Sequence, residues 1–166
     1  MYNDPILKKI VEILNLYGPV KFKNRWTTGD ALSIPKEALP RGFVAYSSEN
    51  ISDIAAGTLR DNAEIVISVA VDATKEFSSP TTRADSHEQV VEAIAGKNSD
   101  YSFKSDSVVG CLRAHQDLDV EQNLYIEVGS ETTIEYGLGL EKRGPGVVTA
   151  EGVLRFRITH DQNKPQ

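Results

Sequence analysis

Cys111 and His115 stand four residues apart in "DSVVGCLRAHQ", a spacing that makes side chains neighbours on a helix. A thiol beside an imidazole could serve as nucleophile and base, but no third group is evident to orient the imidazole. In "VVGCL" the cysteine reads instead as a small buried apolar side chain. As metal ligands the pair lacks company, because His87 and His160 are isolated and there is no C-x-x-C. Gly137, Gly139, Gly144 and Gly146 do not fit G-x-G-x-x-G, and they lie between strand-like segments. A phosphate loop needs a helix N-terminus beyond it, so these glycines read as a turn and a bulge. The acidic run "DLDVEQ" lacks the glycine and the twelve-residue spacing of a calcium loop and reads as a solvated loop. Asp85 and Glu88, beside His87, complement a helix dipole. No pair of carboxylates is isolated in an apolar setting that would raise one of them. These residues point to no catalytic group, no cofactor and no metal.

The basic residues are more informative. In "VKFKNRW" Val20, Phe22 and Trp26 alternate with Lys21, Lys23 and Arg25, which predicts a half-buried strand with a basic outer face. In "GVVTAEGVLRFRIT" Leu154, Phe156 and Ile158 point inward and Arg155 and Arg157 outward, with "KRGPG" as the preceding turn and Lys142 and Arg143 at its tip. The net charge of −6 is unevenly spread: residues 1–60 carry eight basic and six acidic groups, residues 85–135 three basic and eleven acidic. A general DNA-binding protein concentrates positive charge along its binding surface, and this chain leans the other way. Both basic rows suit the solvent face of a sheet, or contact with the acidic 85–135 region of a second copy. Head-to-tail contact between unlike patches builds closed rings.

The remaining elements follow from punctuation and period. "NDPILKKIVEILNLYGP" is a helix, with Asp4 as cap, Pro5 at its first position and Gly18-Pro19 as its stop; Ile6, Leu7, Ile10, Val11 and Leu14 share one face. "TTGDALSIPKEALPRG" reads as a long loop, "FVAYSS" as a short strand and "ENISDIAAGTLRDN" as an irregular excursion. "AEIVISVAVDA" is apolar on both faces and should be a central strand. A second helix is expected with Ser86 and Gln89 as capping box, Val90, Val91 and Ile94 as apolar face and Gly96 as its end. "DSVVGCLRAHQ" leans towards a third helix, while "NLYIEVG" and "TTIEYGLGLE" look like strands. The tail from about residue 160 is expected to fray. Together these predict one α+β domain over residues 1–166: a mixed, mainly antiparallel sheet of about five strands, two or three helices packed on it, and a long C-terminal β-hairpin. No apolar run approaches the ~18 residues of a membrane helix. Lys8 and Lys9 within an amphipathic pattern do not read as a signal peptide, and a lone cysteine fits a reducing cytoplasm.

In element order, from the N-terminal helix through "VKFKNRW", "LPRGFVAYSS", "AAGTLRD", "AEIVISVAVDA" and "DSVVGCLRA" to "EYGLGLEKRGPGVVTAEGVLRFRIT", the chain resembles the tail-terminator (tail-completion, or neck) proteins of tailed bacteriophages. The likeness spans roughly residues 4 to 159. It implies a structural virion protein, not an enzyme, assembled in the host bacterial cytoplasm and located at the neck. Its protomers would form a homohexameric ring that caps the tail tube and joins it to the head-side connector. Double-stranded DNA would pass through the bore without specific binding, and no cofactor or membrane is implied. The basic residues Lys21, Lys23, Arg25, Lys142, Arg143, Arg155 and Arg157 become candidates for the subunit interface. Two alternatives remain: another head–tail joining or tail-tube component, or a small-molecule enzyme using Cys111 and His115.

Overall fold

A computed structural model describes residues 4–29, 33–77, 84–119, 121, 123–126, 131–137 and 140–163. Helix α1 (Pro5–Tyr17) begins where expected: the Asp4 carboxylate accepts from the Ile6 and Leu7 amides, and Pro5 occupies the first position. Its buried residues are Leu7, Ile10, Ile13 and Leu14, while Ile6 and Val11 flank them half-buried. The Gly18 amide closes the helix on the Leu14 carbonyl.

The sheet is built on three long strands. β2 (Arg41–Ala55), β3 (Thr58–Asp72) and β8 (Val147–Asn163) run antiparallel side by side, with β3 between the other two. Outside β2 lies the short parallel strand β1 (Trp26–Thr28). The far edge of β8 is covered in succession by β7 (Glu141–Gly144), β6 (Thr133–Tyr136) and β5 (Leu124–Ile126), and β4 (Asp117–Asp119) pairs with β5. The class is therefore α+β, with a mixed, mainly antiparallel sheet and a C-terminal hairpin of β7 and β8. Eight strands form it where about five were expected, because five of the eight are only three or four residues long.

Helices α1, α3 (Ala84–Ala95) and α4 (Val108–Ala114) cover one face, where Ile65, Ile67, Val69, Leu154, Phe156 and Ile158 join the main core. Phe43, Ala70 and Val147 instead form a smaller cluster with Ile34 and Leu39. That second cluster explains why β3 is apolar on its other side. Ile67 and Val69 are fully buried in the central strand, so truncating either to alanine is expected to cost about 1–4 kcal/mol through lost burial and a residual cavity. Chemical denaturation measures this; a change of a few tenths would contradict the strand's central place.

Several expectations need correction. "VKFKNRW" is not a strand: Val20–Phe22 form a 3-10 turn after Pro19, Val20 is 76 % exposed, and only Trp26 enters β1. The segment 27–40 contains the end of β1 and a second 3-10 turn, Lys36–Ala38. The supposed excursion 49–62 is the end of a hairpin, in which β2 pairs with β3 as far as Ala55 opposite Thr58, with a register shift between Asp53 and Ala55, around Gly57, whose φ is +83°. Ser86 does not cap α3, since the helix has already begun at Ala84. Its amide and hydroxyl both donate to the buried Glu76 carboxylate at the end of the short helix α2 (Thr74–Phe77), so a residue ten positions upstream satisfies that turn. The tail does not fray at residue 160, because His160 to Asn163 pair with Asp61 to Thr58. Residues 127–129 of "NLYIEVG" and 138–139 of "TTIEYGLGLE" lie outside the described residues, as does the end of the tail beyond 163.

Candidate functional site

Ser107 caps α4, and the helix places Cys111 inward, with no exposed surface. Its thiol lies 3.9 Å from the Ile13 carbonyl, and burial pushes it up to about 11. His115 ends the same helix. Its Nδ1 sits 2.8 Å from the Cys111 carbonyl oxygen, and its ring stacks on Tyr17 at 4.5 Å. The two side chains thus serve helix termination and packing, and the imidazole is engaged by the backbone carbonyl and Tyr17. A thiol so placed is a poor nucleophile at neutral pH, since it is the thiolate that reacts. Native protein is expected to resist a thiol reagent until denaturant is added; labelling at the rate of a free thiol would overturn this placement. His87 packs edge-on against Tyr136 at 5.9 Å. No group of three or more His, Cys, Asp or Glu side chains among the described residues could hold a metal.

The seven basic candidates do not form one surface. Lys21 and Lys23 are exposed on the turn after α1. Arg25 is turned inward instead, its guanidinium donating to the Leu39 and Glu37 carbonyls at 3.3 and 3.4 Å. Lys142 is exposed on β7. Arg143 is not at a free tip: it grips Glu151 through two bonds of 2.6 Å, with both side chains largely buried. Arg155 and Arg157 do lie on the face away from the helices, opposite Val66 and Glu64. Arg155 is ion-paired with Glu135 at 2.7 Å across to β6, and Arg157 is exposed.

A groove of about 910 Å³ runs between the turn at Pro19–Phe22 and helix α3. Val20, Val71 and Val91 line it, and Asp85, Glu88 and Lys21 stand along it. Glu92, also on this helix, is ion-paired with Lys104.

At the other end of α1 lies an arrangement that sequence periodicity did not reveal. Beyond the helix N-terminus, β2, β3 and β8 continue as a three-stranded ribbon, and every residue from 47 to 57 is exposed. Ile51 (58 % exposed) and Ile54 lie on it. Cross-strand register aligns Ile51, Asp61 and His160 in one row. Asp61 is only 9 % exposed, and its Oδ1 accepts no hydrogen bond among the described residues. Burial pushes its carboxyl up, His160 draws it back down, and Asp4 adds to the rise. Burial also raises Glu49, helped by Asp61 and Asp4. Asp4 itself accepts a 3.0 Å hydrogen bond from Tyr46, and burial together with Asp4 raises that phenol. In "SSENISDIAAGTLRDN" the signal available was Gly57 at a turn between two segments of β register, but polar residues on both faces hid the alternation.

A buried carboxyl held above its ordinary value is penalised in its ionised form. That penalty is present at neutral pH and disappears as pH falls through the raised value towards the ordinary one near 3.8. Asp61→Asn, which removes the charge but keeps the shape, is therefore expected to raise the melting temperature at pH 7 and to lose that advantage in acid. Thermal melts across pH test it. Destabilisation at pH 7 would show that the ionised carboxylate is well solvated or paired.

Comparison with protein-family models yields no match, and no curated protein matches the chain significantly.

Proposed function

We propose that the chain is a structural subunit of a ring at the head-proximal end of a bacteriophage tail, where it closes the tail tube and joins the head-side connector. The observation that carries this reading is the ribbon beyond α1: three paired strands project from the core with residues 47–57 exposed throughout. A long exposed strand edge is a template for association; register shifts in β2 between Tyr46 and Ser48 and between Asp53 and Ala55 interrupt it, yet its pairing with β3 runs on to Ala55. Element order, to which the resemblance to tail-terminator proteins refers, supports the same reading. The engagement of Cys111 with the core and of His115 with a helix end favours it over a thiol enzyme. DNA in the bore would be a passenger, since each phosphate contact would add salt-dependent affinity and slow its passage.

Among the basic candidates, Arg157, Lys21 and Lys23 are the exposed ones best placed for contacts between subunits, with Lys142 beside them in that role on β7. Arg25 and Arg143 serve the protomer. The test is electron microscopy of the purified chain, alone and mixed with tail-tube and connector proteins from the same genome. Six-fold rings that bind the ends of tubes are expected. A chain that stays monomeric and ignores tube ends would overturn the reading.

A further inference from the structure

The two ends of α1 carry opposite chemistry. Near its N-terminus lie Asp4, Glu49 and Asp61, with the exposed Ile51 beside them. Just past its C-terminus the chain turns through Val20–Phe22, exposing Val20, Lys21 and Lys23. Thirteen helical residues separate these ends by ~20 Å. The sheet gives the same separation: Trp26 pairs with Gly42, and Glu49 lies seven residues further along β2, or ~23 Å. Both patches combine exposed aliphatic surface with charge: carboxylates at the first, and Lys21 and Lys23 at the second, where Asp85 and Glu88 stand across the groove. They cannot meet within one chain.

We infer that the Glu49–Ile51–Asp61 patch of one copy receives the Val20–Lys23 turn of the next, in a repeated head-to-tail contact. This rests on the proposed ring and names the contact that closes it. A lysine ammonium brought to the exposed Glu49 lies beside Asp61, whose own Oδ1 is buried and accepts no hydrogen bond among the described residues. Val20, next to that lysine, covers Ile51. Unlike patches on opposite ends of a subunit are what a heterologous contact requires, and such a contact closes into a ring when its rotation divides a full turn. Asp61, whose Oδ1 accepts no hydrogen bond among the described residues, is then a residue that weakens the protomer and strengthens the assembly, a trade common at functional surfaces. The charges near the patch among the described residues are Asp4 at the cap of α1, Lys8 one turn into that helix, Glu49 and Asp53 on β2, and His160 on β8. Arg60 lies apart, bound to Asp161 through two hydrogen bonds of 2.7 and 2.8 Å. The four carboxylates, Asp61 included, outnumber Lys8 and His160, so a cationic segment is the complement.

The experiment uses full-length protein and sedimentation velocity. Glu49→Lys and the double variant Lys21→Glu/Lys23→Glu change exposed side chains only, and circular dichroism checks that each is folded. Wild type is expected to assemble, and each variant alone to be monomeric. An equimolar mixture of the two should recover association, because the unaltered basic patch of one meets the unaltered acidic patch of the other and the two reversed patches also carry opposite charges. Asp61→Asn should weaken assembly by about tenfold or more while the protomer melts higher. Rings that persist in both charge variants would overturn the contact and leave the ring reading standing. So would loss of rings on Glu88→Lys with retention in Glu49→Lys, which would move the acidic partner to the α3 groove. A wild type that never assembles would remove both.

Discussion

Gly110→Ala is expected to destabilise the protomer by about 4 kcal/mol or more, beyond the usual range for one added methyl in a core. A Cβ at this position would fall 2.0 Å from the Lys104 carbonyl oxygen and 2.9 Å from its carbon. Those are backbone atoms, and they are tied down. The Lys104 carbonyl accepts from the Ser107 amide at 3.1 Å and from the Ser107 hydroxyl at 2.8 Å, and the same hydroxyl accepts from the Gly110 amide at 3.1 Å. Relieving the clash therefore means dismantling the α4 cap. It also moves Val108, Val109, Cys111 and Leu112, all buried. Gly146 is the comparator. Its φ of +68° disfavours any side chain, but nothing lies within 4 Å of an added Cβ, so Gly146→Ala should cost only about 1–2 kcal/mol. Urea midpoints of the two variants separate steric from conformational cost. Equal losses would show that the loop before α4 yields.

What the sequence disclosed depended on how local the physics was. Helix α1 was legible because its cap, its first-turn proline, its apolar face and its stop all lie within fifteen residues. β3 and β8 were legible where they cross the core, since burial on one face imposes alternation on Ile65 to Val71 and on Leu154 to Ile158. The same strands became illegible where they leave the core. Around Glu49 to Ala55 the strand is exposed and no described helix packs on it, so nothing selects apolar residues at every second position, and backbone pairing with β3 holds it. "VKFKNRW" failed for the opposite reason: its alternation is real in sequence, but Pro19 starts a 3-10 turn and sends Val20 outward. Seven residues are too few for period alone to decide. The α3 cap was hidden by distance, because Ser86 is satisfied by Glu76 from another element. The basic candidates divided on the same principle. Lys21, Lys23 and Arg157 are exposed as expected, whereas Arg25 and Arg143 find partners 14 and 8 residues away that only the fold brings near.

Glu151→Ala should cost about 3–5 kcal/mol, the range for breaking a buried ion pair by removing one partner. Glu151 accepts two 2.6 Å hydrogen bonds from Arg143 and a third of 2.6 Å from the hydroxyl of Thr149, which is itself fully buried. Only 20 % and 16 % of the arginine and glutamate side-chain surfaces remain exposed, so removing the carboxylate strands a guanidinium that water reaches poorly. Two parallel hydrogen bonds also fix the hairpin of β7 and β8, whose register shifts between Lys142 and Gly144. Arg143→Ala should cost less than Glu151→Ala, because the carboxylate left behind keeps its bond from Thr149. The double variant should be more stable than the sum of the single losses predicts, with a coupling that salt screens only weakly. Such a cycle assigns Arg143 to the fold of its own protomer. If Arg143→Ala instead melted like wild type and failed only in ring assembly, the arginine would return to the subunit surface that its place in "EKRGPG" first suggested.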